Sequence, residues 1–427
     1  MNEETLLART IRVHGDLDLV TFAGDEGMLF VQDGVGLAGL GDTGRIELTR
    51  RSGADDAAAV RDRLESIAVE NEVGGPGTGS VAIGALPFDP GTAGHLTIPA
   101  VVIGRNEHGE QWITTIAPRD QHPTGDQLEA LLRRARPAAG GFGRDAGLTS
   151  ITETPSSYSV RSEQAPAQWC AMVAEATDRI RTGGLDKVVL ARAVEVMADA
   201  TIRPSTVLAH LRRTHPSSLL FSVEGFLGAT PEMLVSRHGE IVRAHPMAGT
   251  APRSGDPDTD ARLAARLLES TNTRAEHRHT IDMVHDTLLP WCSYLDEEAE
   301  PSIVAMANVQ HLATRLEGRL SAPGASVLEL VAALHPTPAV GGTPRDLALA
   351  LIAQLEPAGR GRYAGPVGWI DTAGNGVWAV GIRSAEIAGH TARLFAGVGV
   401  VASSDPETEL AETRAKLQTM LGAVIRP

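Results

Sequence analysis

The stretch that most restricts the fold is SLLFSVEGFLGATPEMLVSRHGEIVRAHPMAGT, residues 218–250. It reads as a meander of strands, apolar runs parted only by short polar breaks. Strands this close in sequence pair antiparallel, because a parallel crossover needs a dozen or more residues. Two helices follow, at 258–270 and about 273–289, with further strands near 309–319, 365–371, 376–388 and 391–401 and a closing helix. Helices that do not alternate strictly with strands argue against a Rossmann sheet or a TIM barrel. The expected class is α/β or α+β with antiparallel pairing.

Upstream, residues 1–137 read as alternating strands and helices. GMLFVQDGVGLAGLG is a hairpin with Asp33-Gly34 as its turn. Helices are expected at 54–68 and 125–137, and strands at 97–105 and 111–117. GGPGTGS (74–80) lacks the Gly-Lys-Ser/Thr ending of a nucleotide loop and is read as a glycine turn. Residues 138–163, low in apolar content, are the expected linker or surface excursion. APAQWCAMVAEATDRIRTG then sets Trp169, Val173, Ala176 and Ile180 on one helical stripe, ended by Gly183-Gly184. The strand DKVVLARAVEV (186–196) follows. No internal repeat is apparent.

Composition narrows the function. The formal charge is −15, which disfavours nucleic acid and anionic membrane surfaces as partners. An anionic substrate would need local cations or a metal. Cys170 and Cys292 make neither a disulfide framework nor a CxxC site. No signal peptide is visible at the start, and no window approaches the ~18 apolar residues of a membrane span. A cytoplasmic setting is expected.

Several residues could carry chemistry. Lys187 points with Val189, Ala191 and Ala193 in a period-2 strand. Desolvation there would lower its pKa toward a general base; the alternative is a lysine snorkelling to water. Glu232 lies in an apolar segment beside a Thr-Pro turn, where burial would raise its pKa toward a general acid. A turn glutamate capping a backbone N–H is the plainer alternative. MAGT (247–250) offers a turn whose Gly249 and Thr250 amides could hold an anion. Arg383, read as strand-borne, needs an anionic partner, either a glutamate or a substrate carboxylate. His311 and Tyr363 are polar groups in apolar strands, where a core hydrogen bond would also explain them. Gly397 and Gly399 leave one strand face bare, so a ligand could approach the backbone. His277, His279 and His285 share no helical face, which argues against zinc. Glu276 in one helix and Glu409 and Glu412 in another suit a hard cation such as Mg²⁺. On the closing helix Glu409, Glu412 and Lys416 share one face. No GxSxG and no cysteine–histidine nucleophile is present.

Taken together, LDKVVLAR, FLGATPEML, MAGT, STNTRAEH, VQHLATRLEG, LHPTPAVGG, RYAGPVGW, VWAVGIRSA and AGVGVVASSDPETELAETRAKL resemble, in their order, the chorismate-utilising enzymes. The resemblance covers roughly residues 160–425, with residues 1–150 matching only loosely. It implies a single large domain over residues 1–427, with two antiparallel sheets packed as a sandwich and helices outside. It also implies Mg²⁺, with Glu276 and Glu412 as ligands and Glu409 beside them through water. Lys416 then matches a lysine for a substrate carboxylate, and Arg383 and Tyr363 match residues for the pyruvyl carboxylate. His311, Gly249, Thr250, Gly397 and Gly399 match other pocket positions.

Within that family, enzymes that add water at C2 of chorismate carry a lysine base at the position of Lys187. Aminodeoxychorismate synthases usually have a nucleophilic lysine where Ala248 stands. HPTPAVGG (335–342) looks like the isochorismate synthases. Departures from the pattern are Asn272, where lysine is common, and Val377, where glutamate is. The resemblance therefore implies an isochorismate synthase, a hydroxymutase of the isomerase class whose product feeds menaquinone or siderophore synthesis. Lys187 would be its base and Glu232 its acid, and the expected form is a monomer with no obligate glutaminase partner. Salicylate synthase, an anthranilate or aminodeoxychorismate synthase component, and an inactive chorismate sensor are the other readings.

Overall fold

The computed structural model describes residues 5–49, 53–136, 154–306 and 309–426, apart from the side chains of Asn272 and Glu276. Most of the expected linker therefore lies outside the described residues; its end, Tyr158–Ser162, is a strand.

The fold is mixed α/β with antiparallel sheets. Among the described residues the larger sheet has 13 strands and the second has nine. A third, small sheet, Met247–Pro252, Val309–Ala313 and Ser302–Ala305, was not anticipated. The strand Lys187–Ala198 pairs along its length with Thr391–Val400, aligning Val189 with Gly399 and Ala191 with Gly397. One pairing departs from the rule: Leu6–Val13 and Ala68–Asn71 run parallel.

Both large sheets contain strands from residues 1–150 and from the later part. Met28–Gln32 pairs with Leu219–Val223 in the larger sheet, and Val81–Ala85 pairs with Pro366–Asp371 in the second. The facing surfaces share an apolar core of Phe30, Leu37, Trp112 and Phe221 from one sheet with Ile83, Val367 and Trp369 from the other. The expected helical stripe of Trp169, Val173, Ala176 and Ile180 is buried. No helix among the described residues is long and apolar enough to cross a membrane.

Local signals act where they were expected. Asp33 and Gly34 both have positive φ, 50° and 80°, as a two-residue hairpin turn requires. The GGPGTGS segment is a turn held from outside: Gly77 N–H donates to the Asp371 carboxylate and Gly79 N–H to Thr10 Oγ1. The helix Val327–Leu334 was missed although Ser326 and Glu329 form a reciprocal cap there. Its apolar run has no helical period to betray it.

Three expected strands are cut, and the expected meander is divided, where the chain leaves one sheet for another. Residues 97–105 break after Ile98, passing from the second sheet to the larger one. Residues 309–319 break between the third sheet and the second. The meander breaks at Pro231-Glu232, and residues 376–388 break at Gly381–Arg383. The last two crossings matter for the site.

Candidate active site

A pocket of about 290 Å³ is lined by residues of the larger and the third sheet, the crossings at Pro231-Glu232 and Ile382-Arg383, the first turn of the helix Thr271–Leu288 and the closing helix Pro406–Ile425. Of the residues singled out above, Lys187, Glu232, Gly249, Thr250, His311, Tyr363, Arg383, Gly397, Gly399, Glu412 and Lys416 all line it. Glu409 sits one turn before Glu412 on the closing helix. The Glu276 side chain lies outside the described residues.

Lys187 opens its strand and is half-buried. Its stem crosses Gly399, where an added Cβ would lie 2.7 Å from Lys187 Cε. Gly397 plays the same part for Tyr363, whose hydroxyl would lie 3.1 Å from a Cβ there. The bare glycine face is thus occupied by the protein's own Lys187 and Tyr363 side chains. Glu232 sits at the crossing from the larger sheet to the second. Its N–H is bonded to Thr230 Oγ1 and its carbonyl accepts from Val380 N–H. Only 5% of the residue is exposed. Burial pushes its carboxyl up to about 7, against the opposing charge of Lys187. Near neutral pH this group holds a proton it can donate.

Arg383 corrects an expectation. It is not on a strand but in the crossing between Gly376–Val380 and Ser384–Ala388, with φ of 51°. A non-glycine residue in that region is strained, and such strain persists where the surroundings overdetermine it. The guanidinium is buried, and its Nη1 has no hydrogen-bond partner among the described residues. Burial lowers its pKa, with Tyr363 and Glu412 pulling the other way. A buried donor left open in a pocket suits a carboxylate ligand. Tyr363 stacks on Phe395 at 4.9 Å, and burial pushes its phenol up to about 12.

MAGT is likewise not a turn. It lies in the strand Met247–Pro252, whose register slips between Ala248 and Thr250, and Gly249 has φ of 80°. A Cβ at Gly249 would meet Thr273 Cγ2 at 2.4 Å. The His311 Nδ1 contacts Gly249 O at 3.2 Å and Thr250 Oγ1 at 3.1 Å. Burial, with Arg383 and Lys416 nearby, pushes its imidazole down to about 3, so the ring is neutral. A carbonyl only accepts, so Nδ1 carries the hydrogen in that contact and Nε2 keeps its lone pair. Outside the pocket, His277 Nε2 bonds Thr314 Oγ1 at 2.8 Å in the core.

The carboxylates suit a divalent cation. Burial, and then the charge of Glu412, raise the pKa of Glu409. Two neighbouring carboxylates, one of them, Glu412, lining a cation-rich pocket, match the donor chemistry of a hard metal ion. Thr273, which lines the same pocket as Glu412, stands one helical turn before Glu276. Among the described residues no three carboxylate, imidazole or thiolate groups form a metal cluster by themselves.

Residues 25–425 match the family model described as chorismate binding enzyme. The chain belongs to the chorismate-binding enzyme family. It is 42% identical over 278 residues to the isochorismate synthase DhbC of Bacillus subtilis, covering 62% of this chain and 70% of that protein. It is 35% identical over 383 residues to a putative isochorismate synthase, MenF, of Mycobacterium tuberculosis, covering 86% and 92%. The crystal structure of a putative 2,3-dihydroxybenzoate-specific isochorismate synthase, DhbC, from Bacillus anthracis superposes with a TM-score of 0.76 at 30% identity, over 96% of this chain and 99% of that one.

Pattern alone passed over several residues that also line the pocket of this chorismate-binding enzyme. Thr273, Val340, Ile382 and Phe395 shape the wall. Arg360 also lines it, and its only sequence signal was an i,i+4 spacing from Glu356 just past a helix end.

Proposed function

We propose that the protein is an isochorismate synthase, converting chorismate to isochorismate with Mg²⁺ held by Glu276, Glu412 and, through water, Glu409. The observation that carries this reading is the pairing of Lys187 with a buried Glu232 whose carboxyl is raised to about 7 in one cation-rich pocket.

Arg383 and Tyr363 hold the pyruvyl carboxylate, and Lys416 holds a substrate carboxylate. Lys187 takes a proton from water as its oxygen bonds to C2. The ring double bonds shift, the C4–oxygen bond breaks, and Glu232 gives its proton to the departing hydroxyl, which leaves as water. The two groups end as ammonium and carboxylate and reset by exchanging protons with solvent, so atoms and charge balance. Mg²⁺, when bound, supplies positive charge to the ring carboxylate. The cations also resolve how an anionic substrate enters a protein of charge −15.

Ala248 lines the pocket and brings no amine where aminodeoxychorismate synthases usually have a lysine, which speaks against that reading. Incubating the pure protein with chorismate and Mg²⁺, then identifying the product, tests the proposal. Isochorismate is expected. Salicylate formed without a second enzyme, or chorismate consumed only with ammonia, would overturn it.

A further inference from the structure

The strand that carries Lys187 is paired continuously on one side only. On its other side Lys187 and Val188 pair with Thr343 and Gly342, and Val194 to Ala198 pair with Ser162 to Tyr158. Between these two partners no strand among the described residues completes the ladder. A side-chain pair takes its place. Glu356 Oε1 accepts from Ala191 N–H at 2.8 Å, and Arg360 Nη2 donates to Val189 O at 2.5 Å.

The pair is itself tightly tied. Arg360 Nε donates to Glu356 Oε2 and Nη2 to Glu356 Oε1, each at 2.7 Å. Arg360 Nη1 reaches Val340 O at 2.8 Å, in the loop whose Gly341 carbonyl accepts from Val189 N–H. The guanidinium lies 4.2 Å over the Phe88 ring. Both residues are almost wholly buried, Glu356 7% and Arg360 4% exposed. A buried ion pair is weak evidence for stability, since apolar residues of similar volume often serve as well. Its bonds here go to the backbone two and four residues beyond Lys187, so they fix where that strand enters the pocket.

We infer that Glu356 and Arg360 are positioning residues for Lys187: they stand in for the missing strand and set the direction of its amine toward the reacting carbon. The inference rests on Lys187 being the base. A displaced base loses rate steeply while substrate binding, made by Arg383, Tyr363 and Lys416, is left alone.

R360K tests this, because an ammonium keeps the charge beside Glu356 but lacks the fork that reaches Val189 and Val340 together. The expected result is a kcat lowered about tenfold or more with KM changed less than about twofold. In a K187A background, R360K should add no further loss to the residual rate, because there is no base left to misplace. If R360K does not fold, E356Q/R360M, which buries no charge and keeps an acceptor for Ala191 N–H, carries the same expectation. An R360K enzyme with kcat near the parent's, an equal loss repeated in the K187A background, or failure of both variants to fold would overturn the proposal. Near-parental activity in K187A alone would instead refute the base assignment beneath it.

Discussion

Lys416 and Glu412 form an ion pair one turn apart on the closing helix, Nζ to Oε1 at 2.7 Å, and the same ammonium donates to Gly397 O at 2.9 Å. Burial lowers the lysine pKa, and Glu412 pulls it back up. The cation is thus shared between the carboxylate proposed to hold Mg²⁺ and the backbone of the strand at Gly397.

This sharing predicts coupling between metal and substrate. Engaging Glu412 frees Lys416, so Mg²⁺ should raise the affinity for chorismate, and chorismate should raise that for Mg²⁺ by the same factor. Calorimetric titration with and without each partner measures this. E412Q should weaken both the coupling and turnover, and EDTA should abolish turnover until Mg²⁺ is restored.

Glu232 predicts a pH dependence. The acid must be protonated, so kcat/KM should fall as pH rises through about 7. Its folded pKa lies above the ordinary carboxylate value near 4.5, so the folded state keeps a proton that the unfolded state has lost, and stability declines with rising pH between about 4.5 and 7. E232Q should therefore be inactive yet more stable than the parent at pH 8, by up to about 3 kcal/mol, with the gain gone near pH 4. Denaturant unfolding at the two pH values checks the sign.

K187A should lose turnover by a factor of about 10³ or more while still binding chorismate in the presence of Mg²⁺. Product analysis and a binding isotherm on the same preparation separate the two effects.

G399A places a methyl carbon 2.7 Å from Lys187 Cε. The lysine stem is flexible and can move aside, so the fold should survive, while kcat should fall about tenfold or more as the amine is displaced. Thermal unfolding and steady-state kinetics together distinguish displacement from loss of the fold.

Much of this architecture was legible from local pattern. The Asp33-Gly34 turn, the helix through Trp169 and Ile180, and the antiparallel meander each follow from signals a few residues long. The three cut strands were not. Ile98, Thr314 and Arg383 end or interrupt runs whose apolar alternation continues across the break, because both sheets bury one face in a shared core and alternation does not say which sheet a strand joins. MAGT was legible as small and bendable but not as a bulged strand, since its partner, Val309–Ala313, lies about sixty residues away.

By itself the sequence determined which side chains were available, that Glu409, Glu412 and Lys416 share a helix face, and which order of segments joins this chain to its family. Tertiary structure alone decided that Glu232 and Arg383 stand at crossings between sheets, that Lys187 and Tyr363 fill the space over two glycines, and that Glu356 and Arg360 bond the backbone of the strand that carries Lys187. The reason is that burial and electrostatic neighbours set these properties, and both come from residues far apart along the chain. A carboxyl in water near pH 4.5 becomes one near 7 only when the sheets close around it.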